Sequence, residues 1–246
     1  MTETDAPSRQ SQSDAPLDLA ERGANDQRLD ERLYMQLLVM SGCSDTTPLV
    51  TALRDAGVTG ALYADMHDPY GVALLTISGD PEYFIGGLRR LLHEPPFAAL
   101  KVKPRMTMLG RTYALGYEAD LHETLFHRPM RTALNPDWPW AIWYPLRRNG
   151  AFEQLGPEQQ REILMEHGRI GMGFGRADLA HDVRLACHGL DPNDNDFVVA
   201  LVGKQLHPLS AIVQAMRRTT QTSQYLDRLG PFFVGRAIWQ APNSRG

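Results

Sequence analysis

The chain has 246 residues, 43% of them apolar and 22% charged, which is enough for one large domain or two small joined ones and excludes collagen-like, coiled-coil and wholly disordered chains. Its 25 basic and 29 acidic residues leave a net charge of −4, without the basic footprint that nucleic-acid binding requires. Cys43 and Cys187 are the only cysteines; with no zinc-ligand spacing, no apolar run of membrane-spanning length and no signal-peptide pattern, they predict reduced thiols in a soluble cytoplasmic protein.

Residues 1–28 are rich in Ser, Asp, Gln and Ala and lack aromatic residues. Such a segment buries too little apolar surface to offset its ordering entropy, and a disordered tail is expected. A strand is predicted over Leu33–Met40. A helix follows over Thr46–Ala56, with Leu49, Val50 and Leu53 on one face and Gly57 as its stop. Val58–Asp65 and Gly71–Ser78 read as strands around the turn at Asp68-Pro69, Asp80–His93 as a second helix, and Met106–Leu109 as a strand ending at Gly110-Arg111.

The same order recurs in the second half: strand Trp140–Leu146, helix Pro157–Gly168, strands Asp182–Cys187 and Phe197–Val202, helix Leu209–Thr220, strand Phe232–Trp239. Short echoes favour a duplication. Leu109-Gly110-Arg111 and Val234-Gly235-Arg236 stand 125 residues apart, as do Val72–Leu75 and Phe197–Ala200. Leu88-Arg89-Arg90 and Met216-Arg217-Arg218 are a third pair. The expected fold class is α+β, with the ferredoxin-like βαββαβ unit used twice, over 29–111 and 140–240. Residues 112–139 would form a connection long enough to be functional or partly helical, and 241–246 a short tail.

Several local signals fail on mechanism. The run Gly171-Met172-Gly173-Phe174-Gly175 follows a helix and lacks dinucleotide-binding spacing. Asp191–Asp196 begins like a calcium loop but has Asp196 where Gly is needed and Val202 where Glu is needed. His167 in Glu166-His167-Gly168 lies on the apolar side of its helix with Ile163 and Leu164. Alone it reads either as a helix-end histidine favoured by the dipole or as a metal ligand. Tyr144-Pro145-Leu146-Arg147-Arg148 reads either as a plain strand end or as an anion site. One His, one Tyr and several Arg suit an iron porphyrin with acidic side chains.

In order, Trp140–Arg148, Arg161–Gly171, Gly189-Leu190-Asp191 with Asp196-Phe197, Met216–Ser223 and Phe232–Gly235 resemble the chlorite dismutase superfamily, and within it the coproheme decarboxylase branch. The resemblance covers about residues 31–240. It implies duplicated ferredoxin-like repeats in a dimeric α+β barrel, usually a homopentamer, with a porphyrin in the C-terminal half. On the family's motifs, His167 falls on the axial iron ligand and Tyr144 on the radical residue. Arg148, Arg218 and Ser223 fall on propionate-binding positions. The implied reaction is hydrogen peroxide-dependent decarboxylation of two propionates of iron coproporphyrin III (coproheme), giving haem b. Chlorite-degrading members carry a glutamate that hydrogen-bonds the axial histidine, at the position taken here by Val202, and a distal arginine. That arginine position corresponds to Ala180 or Asp182, with Arg184 on the same strand face. His127 in the connection stands at a distance before Tyr144 compatible with the distal histidine base of some decarboxylases, and reads equally as a solvent-exposed loop histidine. A haem peroxidase, a chlorite-degrading enzyme and a non-catalytic haem-binding protein are the alternatives.

Overall fold

The structure is a computed structural model that describes residues 17–242. Eight strands form the frame. The first repeat comprises β1 (Tyr34–Ser41), α1 (Thr47–Asp55), β2 (Gly60–Asp65), β3 (Val72–Ser78), α2 (Gly87–His93) and β4 (Met108–Arg111). The connection contributes α3 (Arg128–Ala133). The second repeat comprises β5 (Trp140–Arg148), α4 (Pro157–Arg176), β6 (His181–Ala186), β7 (Phe197–Gly203), α5 (Leu206–Met216) and β8 (Phe233–Gln240). Within the repeats the strands lie in the orders β4-β1-β3-β2 and β8-β5-β7-β6, both ferredoxin-like. Antiparallel pairing of β2 with β8, and of β4 with β6 through the single pair Arg111 and Ala186, closes them into one ring inside a single chain.

Two of the sequence echoes have a structural reason. Gly110 and Gly235 lie in the fourth strand of each repeat, where that strand meets the other repeat. A Cβ on Gly110 would sit 2.7 Å from Leu185 Cβ, and one on Gly235 would sit 2.6 Å from the Ala64 carbonyl oxygen. The seams close because these positions carry no side chain. Val72 and Phe197 each begin the third strand of their repeat. The Leu88 and Met216 echo falls at the start of one helix and the end of another, so it marks no equivalence.

Most expected elements appear within a residue or two. Helix Asp80–His93 is broken at Gly86, whose backbone (φ −103°, ψ −94°) is not helical, leaving one turn over Glu82–Ile85 before α2. The expected helix Pro157–Gly168 instead runs on to Arg176. Its glycines cost propensity but do not stop it, since Ile170 and Phe174 still pack inward. The last helix ends at Met216, and Thr220–Gln224 forms a separate turn.

The tail expected over residues 1–28 needs correction at its end. Glu21–Arg22 pairs with Arg28–Leu29, and the Glu21 carboxylate accepts hydrogen bonds from Arg111 (2.7 Å) and the Ala114 amide (3.0 Å). Gln27 donates to the Ala119 carbonyl at 2.6 Å. Polar and backbone hydrogen bonds, rather than apolar burial, tie this stretch to the connection, and composition carries no sign of them. The remainder of that expected tail, 1–16, and residues 243–246 of the short C-terminal tail lie outside the described residues. The connection itself is partly helical, with a π-turn at Glu123–His127 running into α3. Leu121, Leu125, Pro129 and Ala133 are buried at intervals of four.

The main core joins the repeats, with Tyr63, Trp143 and Phe233 among its largest side chains. The other face of β5 carries Ile142, Tyr144 and Leu146, which form a second cluster with Ala180, Leu201, Leu209 and Ile212 beneath α4 and α5. The first helices of the two repeats differ sharply. The nine residues of α1 bury Leu49 and Leu53, whereas none of the 20 residues of α4 is fully buried. So α4 packs on its sheet only through part-buried residues such as Ile170 and Phe174, and this thinly covered face is the candidate cleft.

Candidate functional site in the cleft of the second repeat

Strand register decides which side chains face this cleft. Val199 of β7 pairs with Tyr144 of β5 on one side and with Arg184 of β6 on the other, so the three share a row and a face. The neighbouring row is Ile142, Leu201 and Asp182. Tyr144 is 8% exposed, with the Phe232 ring 4.8 Å away. Burial, with the Asp182 charge adding to it, pushes its pKa up and keeps it a protonated phenol.

Asp182 stands between two guanidinium groups: Arg184 Nε at 2.8 Å and Arg128 of α3 at 3.7 Å. This ties the connection to the strand that carries Arg184. Ala180, the other position considered for a distal group, is buried in the apolar cluster. Arg148 has a different environment. Its guanidinium lies 4.6 Å from the Phe152 ring and 4.7 Å from the Phe197 ring, while its buried Nε has no hydrogen-bond partner. Burial pulls its pKa down. Stacking between rings holds the plane of the fork and leaves donors for an incoming anion.

His167 projects from the inward side of α4. Burial, and then the charges of Arg184 and Arg148, hold its pKa down at about 4, so the ring is neutral at physiological pH. Its Nδ1 lies 3.2 Å from the Thr219 hydroxyl. Val202, read in sequence as the counterpart of the family's hydrogen-bonding glutamate, packs in the main core on the opposite sheet face. Thr219 was missed because it lies 52 residues from His167 in sequence. Tyr113, hidden in sequence within the connection, was missed too. Its ring lies 5.5 Å from Phe197. Burial raises its pKa against the opposing charges of Arg184 and Arg148.

The remaining expected residues lie at the margins. Arg218 and Ser223 are exposed on the turn after α5, where Ser223 Oγ donates to the Thr219 carbonyl at 2.8 Å. His127 is exposed on the π-turn, with its Nε2 3.0 Å from His122 Nδ1. The structure therefore brings Tyr144, Arg148, Arg184 and His167 into one electrostatic neighbourhood and leaves Arg218, Ser223 and His127 around it.

The cleft suits the flat, acidic ligand that the sequence resemblance implies. A neutral imidazole faces it from the helix side, and a Cβ on the adjacent Gly168 would meet nothing within 4 Å. The apolar face of α4 is only part-covered, and the Arg148 guanidinium, whose buried Nε is unpaired, adds a positive charge to the neighbourhood.

Comparison with known proteins gives the same frame. A candidate chlorite dismutase of solved structure superposes with a TM-score of 0.68 at 14% identity, over 85% of this chain and 96% of its own. A heme-binding protein from Thermus thermophilus gives 0.67 at 17% identity, over 86% and 92%. A chlorite dismutase variant from Candidatus Nitrospira defluvii gives 0.66 at 15%, over 85% and 92%. At these identities the likeness speaks for the fold. No curated protein sequence matches the chain. The sequence profile of the chlorite dismutase family, however, matches residues 101–238, more than half the chain and all but the last two residues of the second repeat; the chain belongs to the chlorite dismutase family.

Proposed function

We propose that the protein is a coproheme decarboxylase: an enzyme that takes iron coproporphyrin III as substrate and, with hydrogen peroxide as oxidant, removes carbon dioxide from two propionates to leave haem b. The observation that carries this reading is Tyr144, a buried, protonated phenol in register with Arg184, facing the helix that presents His167. The bound iron porphyrin supplies the oxidising chemistry. His167 holds the metal through its free ring nitrogen. Arg148 receives a propionate on its unpaired donors, and Arg218 and Ser223 meet others at the rim. Fixing these carboxylates decides which propionate stands at Tyr144. We assign Tyr144, once the oxidant has taken its phenolic hydrogen atom, to abstracting a hydrogen atom from that side chain, which then gives a second electron to the oxidant as carbon dioxide leaves and the vinyl group forms. Asp182 keeps Arg184 paired, which argues against a free distal guanidinium of the chlorite-degrading kind. His127, hydrogen-bonded to His122, is assigned as the peroxide-facing base. A homopentamer in the cytoplasm is the proposed setting; among the described residues no helix is long and apolar enough to cross a membrane.

The test is a peroxide titration of coproheme-loaded protein followed by mass spectrometry of the porphyrin. Stepwise loss of two carboxyl groups is expected in the wild type and none in Tyr144→Phe. An unaltered porphyrin in the wild type would refute the assignment and turn attention to chlorite and peroxidase substrates, with Arg184→Gln as the next variant.

A further inference from the structure

We infer that Thr219 is the positioning residue for His167: its hydroxyl accepts a hydrogen bond from Nδ1–H, fixing the imidazole in the tautomer whose Nε2 lone pair points into the cleft. The inference rests on the reading of His167 as the iron ligand only for its functional meaning, since the hydrogen-bond argument stands on the chain itself.

A threonine hydroxyl has one proton to give and two lone pairs to offer. Thr219 Oγ1 lies 2.8 Å from the Met216 carbonyl oxygen, 3.2 Å from His167 Nδ1 and 3.3 Å from the Thr222 hydroxyl. The carbonyl can only accept, and it is the nearest of the three, so the hydroxyl proton lies on that line. Toward the imidazole the oxygen then shows a lone pair, and Nδ1 must carry the hydrogen. In a neutral ring one nitrogen donates and the other accepts, which leaves Nε2 unprotonated. That is the form a metal requires of a histidine.

The geometry is held from two sides. Thr219 is 2% exposed and caps the turn Thr220–Gln224, its Oγ1 also receiving the Thr222 amide at 3.4 Å. Glu166, the neighbour of His167, accepts the Thr220 amide at 3.0 Å. Consecutive residues of α4 therefore grip consecutive residues of this turn, and the ring plane follows. A neutral hydroxyl is also a weaker acceptor than a carboxylate. It orients the ring while drawing little charge through it, so His167 would be a moderate electron donor to a metal.

Nitrogen-15 NMR of the ligand-free protein at pH 7 tests this directly. The expected result is the Nδ1–H tautomer at His167 in the wild type and in Thr219→Ser. In Thr219→Val it should give way to the Nε2–H form that neutral histidine favours in water. A wild-type His167 already in the Nε2–H form, or one unchanged in the valine variant, would overturn the inference and leave the ligand assignment untouched. Resonance Raman of the ferrous haem-loaded protein supplies the second readout. The iron–histidine stretch should fall to lower wavenumber in Thr219→Val, with a rise in reduction potential, and both should return in Thr219→Ser. A merely structural cap would lower thermal stability in the valine variant while leaving tautomer and stretch in place, which also overturns the inference. An iron–histidine band that survives His167→Ala would instead refute the ligand reading while the tautomer result stands.

Discussion

Replacing Arg148 by methionine should separate its cost to the fold from its value to the ligand. The guanidinium is stacked between Phe152 and Phe197 at 4.6 and 4.7 Å, yet its buried Nε is unpartnered and burial lowers its pKa. Methionine keeps an unbranched stem of similar reach. It gives up two cation–π contacts, each about 0.5–2 kcal/mol at a part-buried site, and removes an unsatisfied buried donor that costs about 1–3 kcal/mol. The two sides nearly cancel, so the ligand-free variant should lie within about 2 kcal/mol of the wild type. Binding should fall: losing charge-assisted hydrogen bonds worth about 1.5–3 kcal/mol weakens a porphyrin carboxylate by about 10- to 100-fold. Urea denaturation of the ligand-free proteins and fluorescence-quenching titrations with coproporphyrin and its tetramethyl ester measure the two sides. The ester should bind wild type and variant alike. If Arg148→Met unfolds more than about 2 kcal/mol below the wild type, or binds the free acid as tightly, Arg148 is part of the scaffold and the anion-site argument fails.

Further expectations follow from the fold and the electrostatics. Gly110→Ala and Gly235→Ala each push a methyl into the opposing repeat at 2.7 and 2.6 Å, and each should cost about 1–3 kcal/mol in denaturant unfolding; a neutral result at both would mean that the seams are slack. Cys187 is fully buried, its Sγ donating to the Asn195 carbonyl at 3.2 Å, and burial followed by the Asp191 and Asp196 charges pushes its pKa up to about 12. Its thiolate fraction at pH 8 should be about a thousandfold below that of an ordinary thiol, so native-state alkylation scored by mass spectrometry should leave it unmodified. Because the folded state holds this proton more tightly, that contribution to stability is complete below pH 9 and is lost as pH rises from 9 toward 12; rapid labelling of the folded protein would contradict both statements. Phe152→Leu should leave an intact barrel but remove one wall of the Arg148 stack, weakening porphyrin binding less than Arg148→Met does in the same titration.

What could be read from the sequence divides along a physical line. Strand and helix order was visible because alternation and helical spacing are local, and the paired glycines signalled a duplication before the seams gave their reason. His167, Tyr144 and Arg148 could be singled out as candidates because each lies inside a short string with a stop or turn beside it. Thr219 and Tyr113 left no such trace. Thr219 matters through a hydroxyl reaching a ring 52 residues earlier, and Tyr113 through a ring brought against Phe197 by the closing of one repeat on the other. Counting along the motif placed the histidine's partner at Val202, yet strand alternation turns that side chain into the main core. The cleft itself was equally hidden. The length of α4 depended on whether a run of glycines would stop a helix, and propensity alone argued for a stop at Gly168. The helix continues because Ile170 and Phe174 still find apolar partners, and Gly171 between them lets it seat against Met216, whose methyl would lie 3.6 Å from a Cβ there. A sequence that looked like a failed nucleotide loop is thus plain helix, and it carries α4 on across the sheet face where Tyr144 and Arg184 share a row.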